Sequence, residues 1–97
     1  MNQQIEIAVA RQLACYLFKN PGACDGVQGI ARWWLPAGHT HTDAQVEGAL
    51  QLLKRWNVVQ VNHAVDGRVR YAMCDGRFEA ARGVCETGRM PETSIDP

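Results

Sequence analysis

Residues 42–73 read TDAQVEGALQLLKRWNVVQVNHAVDGRVRYAM, and within them the apolar period changes from that of a helix to that of a strand. Val46, Ala49, Leu50 and Leu53 recur at i, i+3, i+4 and i+7, the stripe of an amphipathic helix. Thr42 with Gln45 three residues on forms the pair of a capping box, so the helix is predicted to start there. It should run to about Arg55, with Lys54 and Arg55 favoured in the last turn by the helix dipole and Asn57 available as a left-handed cap. Val59, Val61 and His63 then alternate along a strand through residues 58–65. Asp66-Gly67 predicts a hairpin of type I′, whose two central residues need positive φ. Residues 68–73 return with Val69, Tyr71 and Met73 inward and Arg68 and Arg70 outward.

Upstream, Ile5, Val9, Leu13, Tyr16 and Leu17 mark a helix over residues 4–19, stopped by Asn20-Pro21-Gly22. A second helix is predicted from an Asp25 N-cap, with Val27, Ile30, Ala31 and Trp34 inward and Pro36 as its end. Gly26 and Gly29 lower its intrinsic propensity, so packing must hold it. Residues 36–41, PAGHTH, form a loop. Downstream, Cys74-Asp75-Gly76 turns the chain into a short helix with Phe78, Ala81 and Cys85 on one side, interrupted at Gly83. A two-stranded ribbon is marginal alone and must pack on the helices. The expected architecture is mainly α with a small β wing, an α+β fold: three helices, a two-stranded hairpin and a short C-terminal helix. Residues 1–87 form the domain and residues 88–97 a solvated tail.

Ninety-seven residues make one domain, and 46% apolar residues can supply its core. Ten Lys plus Arg against ten Asp plus Glu give no global charge signal for nucleic acid. Locally the balance differs. Residues 50–77 carry Lys54, Arg55, Arg68, Arg70 and Arg77 against Asp66 and Asp75, a net of plus three. Residues 78–97 carry Glu79, Glu86, Glu92 and Asp96 against Arg82 and Arg89, a net of minus two. The cysteines at 15, 24, 74 and 85 show neither C-x-x-C nor the density of a disulfide scaffold. They are expected as reduced thiols that pack like small hydrophobes, and their wide spacing argues against an iron–sulfur cluster. The N-terminus lacks the pattern of a signal peptide, and no apolar run approaches the roughly 18–20 residues of a membrane span. A cytoplasmic protein is expected. No nucleophile elbow, phosphate-binding loop, dinucleotide fingerprint or H-E-x-x-H is present, so no enzyme and no cofactor are expected.

The segments DGVQGIARWWL, TDAQVEGALQLLKRWNVVQV and VDGRVRYAM, taken in order, resemble the winged helix-turn-helix of bacterial transcription regulators of the MarR and ArsR type. The match covers roughly residues 4–73. Asn57 stands where that pattern has glycine, and PAGHTH is longer than a minimal turn between the second and third helices. The resemblance implies double-stranded DNA as partner, with the third helix in the major groove and the hairpin on the backbone. The residues it puts on the DNA are Thr42, Ala44, Gln45, Gly48, Gln51 and Arg55 from the helix, with Arg68 and Arg70 from the wing. Gln pairs with adenine, Thr touches a thymine methyl, and Arg follows phosphates. The bland alternative is a solvated outer face. The resemblance also implies a homodimer assembled through the first helix and the segment after Arg77. A second reading is a protein-interaction winged helix, in which Trp33, about 100° around the helix from core Trp34, is the interface residue. A third is a metal-responsive sensor using His39 and His41, with Asp43 and His63 as further ligands, although H-x-H alone is a weak motif.

Overall fold

The computed structural model describes residues 3–90, which fold as an α+β unit with four helices and a three-stranded antiparallel sheet among the described residues. Helix α1 (Gln3–Lys19) is followed by β1 (Cys24–Asp25) and α2 (Val27–Gly29), which passes into a π-helical turn (Ile30–Trp34). Helix α3 (Asp43–Arg55), strands β2 (Val59–His63) and β3 (Val69–Met73), and helix α4 (Phe78–Thr87) complete the chain. No described helix is long and apolar enough to cross a membrane.

Both ends of α3 are closed as the sequence predicts. The Gln45 amide donates to Thr42 Oγ1 at 3.1 Å, and the Thr42 amide donates back to Gln45 Oε1 at 3.0 Å. At the far end Asn57 takes φ 60°, its amide donates to Lys54 O, and the Val58 amide donates to Leu53 O. These are the two bonds of a Schellman closure, and its apolar contact is supplied by fully buried Leu53 and Val58. Val46, Ala49, Leu50 and Leu53 are fully buried, packed with Val9, Leu13 and Leu17 of α1, with Ile30 and Trp34, and with Val59 and Tyr71 of the sheet. Tyr16 of α1 stacks on Trp34 at 5.1 Å between ring centroids.

The sheet has one strand more than the sequence reading gave. Its order is β1-β3-β2, with Cys24 opposite Ala72 and Asp25 opposite Tyr71. Asp25 is therefore a strand residue, and Gly26 holds the N-cap position of α2 without a side-chain bond. The Asp25 carboxylate still accepts the Gly26 amide at 3.0 Å, which keeps its negative charge at the positive end of the helix. The hairpin tip also differs. Gly67 alone has positive φ, the Gly67 amide donates to Ala64 O, and the Ala64 amide donates to Arg68 O. This is a three-residue loop ending in a left-handed glycine, a connection next in frequency to the two-residue turn. Asp66 favours it by accepting the Arg68 amide on Oδ1 at 3.0 Å.

Helix α4 runs unbroken through Gly83 and ends at a left-handed Gly88 (φ 69°). Gly88 is thus the helix cap and is buried, whereas the expected tail began there; residues 91–97 lie outside the described residues. The helix lies along α1. Phe78 stacks on Phe18 at 4.8 Å, and the Arg11 guanidinium donates to the Cys85 and Glu86 carbonyls. Cys15 and Cys85 are joined as a disulfide, which corrects the expectation of four reduced thiols; Cys24 and Cys74 are free. Seventy residues separate the pair, so only the packing of α4 on α1 could disclose it.

Two outcomes follow for stability. Leu50→Ala should cost about 2–5 kcal/mol in urea unfolding, the range for truncating a fully buried leucine. Reduction of Cys15–Cys85 should lower the unfolding free energy by at most about 4 kcal/mol, the loop-closure value for a bridge of this span. A shift near zero would mean that the reduced denatured chain is already constrained there.

Candidate nucleic-acid interface

Residues 62–70 are exposed without a break, so the distal half of the hairpin projects from the body and buries nothing. The proximal half anchors it through buried Val59 and Tyr71 and half-buried Val61 and Met73. In β3, Arg70 alternates with Val69 and Tyr71, which puts it on the sheet face away from the core, opposite Asn62 in the register. Arg70 makes no side-chain hydrogen bond with another described residue, whereas Arg68 pairs loosely with Asp66 at 3.4 Å in full solvent exposure. Such an exposed pair is worth little and is readily exchanged for a phosphate. Arg68 and Arg70 also border an open groove with Cys24, Asp25 and Gly26.

On α3 the six residues named from the sequence separate into distinct environments. Arg55 and Ala44 are exposed and uncommitted, and Lys54 joins Arg55 at the exposed end. Gln51 is exposed on its outer side but donates a long bond (3.4 Å) to the hydroxyl of buried Tyr71. Thr42 and Gln45 spend one oxygen each on the capping box, so the Thr42 hydroxyl and the Gln45 carbonyl are first of all structural. Gly48 is half-buried beneath the Glu6 carboxylate of α1, against which a Cβ at this position would collide. The placement of Gly48 on an open face is corrected accordingly. Glu6, Asp43 and Glu47 together make the first half of α3 acidic, and the cations gather at its end and on the wing.

Arg77, counted with the basic residues, serves the fold. Its guanidinium donates to Asn57 O at 2.9 Å and to Trp56 O at 3.3 Å, closing carbonyls at the end of α3. No sequence pattern announces this contact, because the partners lie twenty residues apart.

His39 is likewise committed. Nε2 lies 2.6 Å from Ala31 O, which can only accept, so Nε2 carries the proton. Nδ1 then accepts the His41 amide at 3.0 Å, and both ring nitrogens are engaged in closing the π-helical turn and its loop. His41 stacks on His39 at 5.6 Å, and His63 stands on the exposed wing. No group of three or more His, Cys, Asp or Glu among the described residues is arranged to hold a metal ion.

Trp33 and Trp34 diverge sharply, at 65% and 4% exposed. Trp33 is not tucked beneath the PAGHTH loop; the Arg32 guanidinium lies over its ring at 5.4 Å. Cys24 is exposed at the groove, whereas burial pushes the half-buried Cys74 thiol up, partly offset by Arg77. Comparison with known proteins finds no match for this chain among family models, curated proteins or solved structures.

Two measurements check this assignment of roles. Thr42→Ala should cost about 1 kcal/mol of stability through loss of the cap, and a cost near zero would free Thr42 for a purely external role. At mildly alkaline pH a maleimide should label Cys24 before Cys74, because Cys24 is exposed and burial raises the Cys74 thiol; equal rates would contradict the burial of Cys74.

Proposed function

We propose that this chain is a winged-helix domain that binds duplex DNA through its wing and the exposed end of α3, acting as a homodimer in transcriptional regulation. The observation that carries the reading is the projecting hairpin: nine successive exposed residues, 62–70, carry Arg68 and Arg70, and the helix before it adds Lys54 and Arg55 in its last turn. The distal half of the hairpin adds no buried residue to the core, so its length is explained by what it reaches. Order of elements, capping box and left-handed Asn57 agree with the family resemblance.

The acidic first half of α3 shapes the proposal. Phosphates are disfavoured near Glu6, Asp43 and Glu47, so affinity rests on the four cations rather than on deep insertion of the helix N-terminus. Base contacts then fall to Ala44, to the Gln45 amide nitrogen and to Gln51, whose long bond to Tyr71 is easily exchanged. In a two-fold dimer the faces of α1 and α4 turned toward each other are already used within one chain, so the contact between copies would use their outer sides.

Fluorescence anisotropy on a random-sequence duplex tests this. Four phosphate contacts correspond to a loss of roughly 100-fold in affinity between about 50 and 200 mM salt. Arg68→Ala with Arg70→Ala should weaken binding and lower the salt slope by about 2. Trp33→Ala should leave both unchanged. Absence of binding at about 50 mM would remove the DNA reading. Exposed Trp33 favours a second one, a winged helix that docks a protein partner through that indole.

A further inference from the structure

Helix α4 packs extensively along α1, but mostly through small side chains. Of the buried core only Ala81 and Val84 come from α4, both small, and Gly83 between them adds no side chain. Its ion pairs, Arg82 with Glu79 and with Glu86, lie within the helix itself and do not tie it to α1. Beyond this packing, what crosses to α1 is the Phe18–Phe78 stack at the first turn, the two Arg11 bonds to carbonyls near the last turn, and the Cys15–Cys85 bond. The disulfide is the one covalent link, and it falls in the second half of the helix, beside buried Val84 and the Gly88 cap. Both of its cysteines are half-buried rather than sealed in the core.

We propose that Cys15 and Cys85 form a thiol–disulfide switch that docks α4 on α1 when oxidised and releases the second half of α4 when reduced, while the rest of the domain stays folded. The oxidant is a small-molecule disulfide. One cysteine thiolate attacks it and expels one thiol, and the second cysteine attacks the resulting mixed disulfide and expels the other. The internal S–S bond forms, the reagent's S–S bond breaks, two electrons pass to the reagent, and the two cysteine protons end on its two released thiols. Reduction by excess thiol is the reverse.

The body keeps its fold because all of its core but Ala81 and Val84 comes from α1, the π-helical turn, α3, the sheet and the residues joining them. Arg77, the N-cap residue of α4, keeps its hold on the Trp56 and Asn57 carbonyls at the end of α3, because the first turn of α4 stays docked through Phe78 on Phe18. The switch itself stands independently of the DNA reading, because it is measured without nucleic acid.

The test is hydrogen exchange by mass spectrometry on the whole chain, equilibrated in glutathione buffers from fully oxidising to fully reducing, with alkylation reporting the thiol state. The expected result is reversible opening of Cys15–Cys85 at native far-UV circular dichroism. Amides of residues 81–88 should exchange at least 10-fold faster, and those of α3 and β3 should keep their protection. Cys15→Ser should show the same fast exchange under oxidising conditions, and Cys24→Ser should leave the titration unchanged. A bond that opens only on unfolding, global loss of protection on reduction, or unchanged exchange in α4 would each overturn the proposal.

Discussion

The apolar stripe of α3 is the constraint on which the rest of the structure depends. Val46, Ala49, Leu50 and Leu53 are each fully buried, and their partners come from α1, the π-helical turn and the sheet. A helix of thirteen residues would be marginal alone, and burial of this stripe is what stabilises it. The caps then fix where it starts and stops. Because Asn57 reverses the chain within one residue, Val58 lands under Leu53 and the strand leaves at a defined angle. Arg77 closes the same junction from outside. The direction of the wing is thus set by the end of α3.

That geometry divides the surface electrostatically. Close to the beginning of α3 lie Glu6, Asp43 and Glu47; close to its end and on the wing lie Lys54, Arg55, Arg68 and Arg70. A chain with no net charge can therefore still present a cationic edge, since phosphate contacts depend on local placement. Arg70 is held on a paired strand and would lose little freedom on meeting a phosphate, while Arg68 near the tip would first have to leave Asp66.

Local signals were the legible ones. The capping box at Thr42, the stripe of α3, the left-handed Asn57 and the proline stop after α1 each depend on residues a turn or two apart, and each stands where the sequence reading put it. Features that depend on distant partners were not legible. The two-residue β1 exists only because β3 lies beside it, and Asp25 on its own reads as a helix cap. Cys15 and Cys85 meet because α4 lies along α1, and their spacing of seventy residues carries no periodic mark. For the candidate interface, exposure of Arg55, Arg68 and Arg70 followed from alternation and helix phase. The intrusion of Glu6 over Gly48 and the use of His39 to close the π-helical turn are tertiary events. Trp33 marks the boundary: its divergence from Trp34 was readable, and the helix type that carries it was not.

Whether the hairpin and the end of α3 form one nucleic-acid-binding edge is tested by amide chemical-shift mapping of the labelled chain during titration with a short duplex. If they do, the largest shifts fall on residues 62–70 and 51–56, with the segment around Trp33 unmoved. Shifts centred on residues 30–36, or no shifts at duplex concentrations well above those of the protein, would contradict it.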